Sequence, residues 1–354
     1  MFATLVGPYP AADLRAVLLD QLEAGLELLT DGELGAADPV VATLAVLDGV
    51  TADGPAPSLG TAWAGSRPMV RTLPAWRRPA LVDRWRAADA MARALATERN
   101  DGVRPVRAGL LGPYTLGRLA DRGRLGRRRV TLAFAEALGV ELAGLDAAGA
   151  PLVQVDEPAL VTLQPGERTE RALAAEAWRR LAAASPDLHL SLGVMHGAAE
   201  GAGPGLLFDA PFRSYFFDLC AGSDNWRLIG RAPADRGIVA GVADARVARL
   251  DSREILVWGA RYAAALGGRG LERVGIAPSA GLAGLTRAQA QAKIRSLADA
   301  ARIAGLTDVE ELRRSVDPRA VDARSAALGR YEPGPGSVVE GPLPPRRPRR
   351  ASGR

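Results

Sequence analysis

Short apolar runs alternate along the chain with longer stretches in which apolar residues recur every three to four positions. The short runs predict strands over 3–7, 26–31, 106–112, 152–156, 188–193, 214–219, 237–242 and 274–278. The longer stretches are rich in Ala, Leu and Arg and predict amphipathic helices over 13–24, 81–99, 129–148, 169–184, 253–266 and 286–304. Eight strands with helices between them predict an α/β fold, a single (β/α)8 TIM barrel. A doubly wound sheet is the rival. It usually carries a glycine fingerprint between its first strand and helix, and Gly7-Pro8-Tyr9-Pro10 is not one. The pattern assigns residues 1–330 to the barrel. The Pro/Gly-rich stretch 50–80 is expected as an insertion over the barrel mouth, and 331–354 as a disordered basic Pro/Arg-rich tail.

Charge changes this picture little. The chain has 354 residues, with 45 Lys+Arg against 40 Asp+Glu, a formal +5. The tail holds five Arg and two Glu, so +3 of that charge lies outside the barrel and gives no sign of a nucleic-acid face. Lys293 is the single lysine; the other 44 basic residues are Arg. It falls in a helical pattern, which argues against a Schiff-base lysine. The single cysteine, Cys220, excludes an internal disulfide and every multi-cysteine metal motif. The start has no basic segment leading into a long apolar core, and no apolar run reaches membrane-span length. A cytoplasmic protein is expected, with a small-molecule substrate and neither nucleic acid nor membrane as partner. Its oligomeric state is not legible.

Candidate chemistry collects where predicted strands end. Gln154-Val155-Asp156-Glu157-Pro158-Ala159-Leu160 puts two carboxylates at the end of an apolar run. Val6-Gly7-Pro8-Tyr9-Pro10, Asp31-Gly32-Glu33-Leu34, Gly112-Pro113-Tyr114-Thr115, Gly241-Val242-Ala243-Asp244 and Ala277–Leu282 follow other strands. Barrel enzymes build their sites from these ends.

These pieces, in this order, resemble the catalytic C-terminal barrel of cobalamin-independent methionine synthase, whose fold is shared more distantly with uroporphyrinogen decarboxylase. The family's IGS-F/Y-P, HGE, GP-x-T, IDEPAL, H-x-C, YDIHSP and NPDCGL motifs correspond to VGPYP, DGE, GPYT, VDEPAL, LHLSLG, GVADAR and APSAGL here, over roughly residues 2–305. The resemblance implies a methyltransferase with a methyl-tetrahydrofolate-type donor and a zinc ion that activates a thiol. Carried over by motif, the zinc ligands fall on Ser191, Gly193, Ala280 and near Asp218, so zinc is not expected in the family way. A rearranged site of His196, Asp218 and Cys220 is the alternative. Otherwise His189 reads as a core histidine, His196 as a pocket-lining hydrogen bonder and Cys220 as a small buried apolar group.

The resemblance also implies that Glu33 and Asp156 hold the substrate's ammonium, as two carboxylates converging on one cation would. Pro8, in the place of a serine, removes a backbone N–H. The expected substrate-binding set is Gly7, Tyr9, Glu33, Tyr114, Asp156, Ser191, His196 and Asp244. The expected catalytic set is Asp156 or Glu157 as general base, with Arg246 stabilising developing negative charge. Three functions are compatible: a methyltransferase-type enzyme on an amine- or amino-acid-bearing substrate, a lyase or decarboxylase on the same barrel, and a non-catalytic binding protein. Arg118, Arg122 and Arg124 read as a solvated helix start, with a polyanion as the alternative. Gly201–Gly205 reads as a loop.

Overall fold

The computed structural model describes residues 1–34, 38–61 and 63–316. Among the described residues ten strands occur in chain order: β1 (Phe2–Ala3), β2 (Leu29–Thr30), β3 (Leu47–Pro55), β4 (Ser66–Trp76), β5 (Val106–Leu111), β6 (Val153–Asp156), β7 (Leu190–Val194), β8 (Ser214–Asp218), β9 (Gly237–Ala243) and β10 (Val274–Pro278). Eight form one parallel sheet in the order β1-β10-β9-β8-β7-β6-β5-β2. The sheet curls: its edge strands β1 and β2 approach through a parallel bridge between Thr4 and Leu28.

Each predicted strand contributes to this sheet, and the six predicted helices are present with ends shifted by at most two residues. The runs predicted over 3–7 and 26–31 shrink to two residues each. At β2 a helix side chain substitutes for ladder bonds. Gln21 Nε2 donates to the Thr30 carbonyl at 2.8 Å, and the Thr30 N–H donates to Gln21 Oε1 at 2.9 Å.

The helices start and stop on local chemistry. Asp13 caps Leu14–Ala24 by accepting from the Ala16 N–H, and Gly25 ends that helix in the left-handed conformation. Thr286 and Gln289 form a reciprocal capping box at Arg287–Ala304. Burial follows the strand alternation. Tyr215 and Phe217 of β8 join the large core between sheet and helices. Phe216 between them faces a small cluster with Val6, Met195, Val239 and Ala277 on the sheet's other face.

The Pro/Gly-rich segment contains an antiparallel hairpin of β3 and β4. Prolines at 55, 68 and 74 obscured it in the sequence, yet they are tolerated in a two-stranded sheet, where every strand is an edge. The Gly201–Gly205 cluster, read as a loop, runs into the short helix Gly203–Phe208. The 331–354 tail lies outside the described residues.

Candidate functional site

A cavity of about 480 Å³ opens where the strands of the large sheet end. Of the expected substrate-binding residues, Gly7, Glu33, Asp156 and His196 line it. Leu110, Leu111, Leu81, Met195 and Pro158 make much of its wall apolar, and the hairpin connection adds Trp63 and Ala64.

Local turns present the polar groups. After β2 the chain folds back on its own side chains. The Gly32 N–H donates to Thr30 Oγ1 at 3.1 Å, and the Glu33 N–H to Asp31 Oδ1 at 3.0 Å. Glu33 is held at φ 49° and His196 at φ 67°. Asn100, which ends a helix, is the other non-glycine residue with positive φ among the described residues. Strained backbone at two cavity residues fits a site whose surroundings enforce its geometry.

Asp156 ends β6 and faces the cavity. Gln154, two residues earlier on the same face, donates from Nε2 to Asp156 Oδ1 at 2.6 Å. Burial pushes Asp156 up to about 6, against the pull of Arg107 and Gln154. Burial, then the negative charges of Asp156 and Asp31, push Glu33 up to about 7. Arg107 and Arg84 pull Glu33 the other way.

Arg107 is 5% exposed, on β5. It donates from one terminal nitrogen to the Leu5 carbonyl at 2.7 Å, and its Nε bonds to no described residue. Arg84 lines the cavity and pairs with Asp31. With all five groups charged, the carboxylates of Asp31, Glu33 and Asp156 outnumber the two guanidiniums by one. Sequence reading passed over Arg84, Arg107 and Trp63. The Arg107 signal was available, because a charge inside the apolar run Val106–Leu111 is rare in a buried strand.

Other expected site residues are elsewhere. Glu157 is fully buried and faces away from the cavity. Its carboxylate caps the helix Pro113–Leu119 from just past the end of β6, accepting the N–H groups of Tyr114 at 3.1 Å and Thr115 at 2.7 Å. Burial pushes it up to about 7 against these bonds. A side chain at Gly112 would strike that carboxylate at 2.2 Å, so the glycine of the GPYT motif serves this cap. The Tyr114 hydroxyl bonds Glu170, which also pairs with Arg118 and Arg127. The Tyr9 hydroxyl bonds Asp20 at 3.1 Å. Neither tyrosine lines the cavity, because helix packing behind the strand ends takes both rings. Ser191 is buried in β7, cross-strand from Gln154, and does not reach the cavity wall. Arg246 grips Asp244 through two hydrogen bonds, at 2.8 and 2.9 Å, and neither lines the cavity.

The residues present do not fit the zinc that the resemblance implies. Asp218 spends one oxygen on the N–H groups of Cys220 and Ala221 and the other on that of His196. The Cys220 thiol points at the Gly241 and Val242 carbonyls, and burial pushes its ionisation well above the usual thiol range. The rearranged site is therefore not assembled. Among the described residues no three His, Cys, Asp or Glu side chains cluster in a way that could hold a metal ion. No helix among them is long and apolar enough to cross a membrane.

Comparisons with known proteins agree on one relationship. The family model described as cobalamin-independent synthase, N-terminal domain, matches residues 83–257. The matched model is thus the N-terminal domain's, while the strand-end motifs resemble the C-terminal barrel. The methionine synthase of Saccharolobus solfataricus is 29% identical over 148 residues, 42% of this chain and 42% of that one. The alignment therefore spans less than half the length of this relative. Among solved structures, a B12-independent methionine synthase from a Shewanella species, in complex with selenomethionine, has a TM-score of 0.71 at 17% identity. It covers 85% of this chain and 96% of its own. A putative vitamin-B12-independent methionine synthase from Listeria monocytogenes gives 0.63 at 15%, covering 85% and 97%. A methyltransferase from Methanosarcina mazei gives 0.54 at 14%, covering 85% and 94%. At such identities the solved structures show a shared fold.

Proposed function

We propose that this chain, which resembles the cobalamin-independent methionine synthases, is a methyltransferase-type enzyme that binds an amine- or amino-acid-bearing substrate through Glu33 and Asp156. The observation that carries this reading is the convergence of Glu33 and Asp156 on one cavity wall, beside the buried Arg107. The excess negative charge there is balanced when a substrate ammonium enters. Two partly desolvated carboxylates whose pKa values burial has raised are poor company for each other and good company for a cation.

The cavity volume suits a small molecule. Its apolar wall and Trp63 would take the substrate's body while the carboxylates fix its charged end. Asp156, with ionisation near 6, can accept a proton from the bound group at neutral pH. Glu157 is not available for that step, because its oxygens serve the helix start and Trp178. The donor implied by the resemblance is of the methyl-tetrahydrofolate type, and no step is assigned to a metal. We read the curled sheet as a (β/α)8 barrel whose seam lies at Thr4 and Leu28, in a cytoplasmic setting.

The lyase reading drew on Arg246, which Asp244 holds outside the cavity. No observation favours it over methyl transfer.

The test is titration of the purified protein with a panel of primary amines and amino acids, followed by calorimetry. Binding at about one equivalent, lost in Asp156→Asn, supports the reading. Equal binding by wild type and Asp156→Asn overturns it.

A further inference from the structure

This inference rests on the amine-binding reading and deepens it. Asp156 and Gly193 stand directly across the β6–β7 ladder, and Gln154 and Ser191 form the same-face pair before them. The Asp156 carboxylate leans over the neighbouring strand. A side-chain carbon built at Gly193 would lie 1.9 Å from Asp156 Oδ1 and 3.1 Å from Gln154 Nε2. No real side chain tolerates the first distance, so any residue larger than glycine there must turn the carboxylate away.

The clamp is the Gln154 amide beside it, 3% exposed and 2.6 Å from the same oxygen. An ionised carboxylate only accepts hydrogen bonds, so an amide N–H aimed at it favours the anion. The charged and titratable groups around Asp156 come from four further elements. They are Arg107 on β5, Asp31 and Glu33 after β2, Arg84 on helix Ala80–Arg99, and His196 after β7.

We propose that Gln154 and Gly193 are the positioning residues that make this cavity a cation site. Gln154 holds the Asp156 carboxylate at one place on the wall, and glycine at 193 leaves open the volume which that carboxylate fills. The exchange also accounts for the misfit with zinc. Position 193 is where the resemblance puts a cysteine ligand, and here that space belongs to a carboxylate.

The experiment uses the full chain, n-propylammonium as probe, and Asp156 itself as reporter. The carboxyl carbon of Asp156 is followed by NMR in aspartate-labelled protein and assigned with Asp156→Asn. Variants Gly193→Ala and Gln154→Leu are compared with wild type by probe affinity, by the Asp156 titration, and by thermal melts. The expected result is a loss of about tenfold or more in probe affinity in both variants. In Gln154→Leu the Asp156 midpoint should also move to higher pH, a shift that a merely structural role would not produce. An Asp156 titration identical to wild type in both variants overturns the proposal. If Gly193→Ala does not fold, Gln154→Leu decides alone. If wild type fails to bind propylammonium, the amine reading fails, while the titration comparison still decides whether Gln154 and Gly193 position Asp156.

Discussion

The indole N–H of Trp178 donates to Oε1 of Glu157 at 2.9 Å, between two side chains with no exposure to solvent. Asp156, its neighbour in the chain, faces the cavity instead. Successive residues at the end of a strand point to opposite faces, so two adjacent carboxylates take two unrelated tasks. One completes the start of a helix; the other faces the cavity.

Glu157→Gln should therefore act on stability. The amide must set an NH₂ group against donors that now meet an acceptor, leaving at least one buried bond unmade. A loss of about 2–3 kcal/mol is expected in denaturant melts, with amine affinity little changed. Lost affinity at unchanged stability would return Glu157 to the substrate site.

Asp156→Asn should do the reverse. Removing one of two converging charges should weaken ammonium binding by about 2–4 kcal/mol. It also removes a carboxylate that burial disfavours, so the unliganded variant should melt no lower than wild type near pH 8. A lower melting point would mean that Asp156 is a structural anchor.

The pH dependence follows from the raised carboxylates. Glu33 and Glu157 stand at about 7 and Asp156 at about 6, against ordinary values of 4.5 and 3.8. Between the ordinary and the raised values the folded chain holds more protons than the unfolded one, so these groups make stability fall as pH rises through that window. His196, pushed down from 6.5 to about 4 by burial and by Arg246, contributes the opposite slope below pH 6.5. Above pH 6.5 that opposition fades as the unfolded imidazole loses its proton, while the two glutamates still titrate toward about 7, and a decline in melting temperature is expected. Amine affinity should climb over the same interval, because the carboxylates must ionise to pair. Calorimetry in buffers of different ionisation enthalpy should register the released proton. Affinity that is flat from pH 5.5 to 8 would contradict this.

The lone lysine gives a fourth test. Lys293 is 1% exposed and donates to the Arg249 carbonyl at 2.8 Å and to Asp251 at 2.9 Å. Asp251 in turn accepts the Asp244 N–H at 3.1 Å. The chain thus ties helix Arg287–Ala304 to the loop after β9 that carries Asp244 and Arg246. Lys293→Met strands Asp251 and should lower stability by about 3 kcal/mol. Lys293→Arg should also destabilise, since a larger, differently shaped cation must replace a side chain only 1% exposed that makes two hydrogen bonds. A wild-type melt for Lys293→Met would show that the loop is held by other contacts.

How much of this was legible depended on the range of the interaction. The strands at 153–156 and 274–278 and the helices with Asp13 and Thr286 caps are local events. Apolar periodicity and capping chemistry announce them within a few residues. The hairpin Leu47–Trp76 escaped because its prolines disguise a strand that is tolerated only as an edge.

By itself the sequence determined that eight apolar runs alternate with amphipathic helices, and that polar motifs cluster where those runs end. The resemblance of its motifs to a known family, and nothing in periodicity, implied that Glu33 and Asp156 share a site, and both line the cavity. Only the tertiary structure decided which polar groups meet. It turned Glu157, Tyr9 and Tyr114 into the packing, brought Arg107 and Arg84 beside the carboxylates, and set Gly193 against Asp156 across a ladder. Those pairings depend on strand register and on the direction of each side chain. They are fixed by packing between residues that are, like Glu33 and Asp156, far apart in sequence.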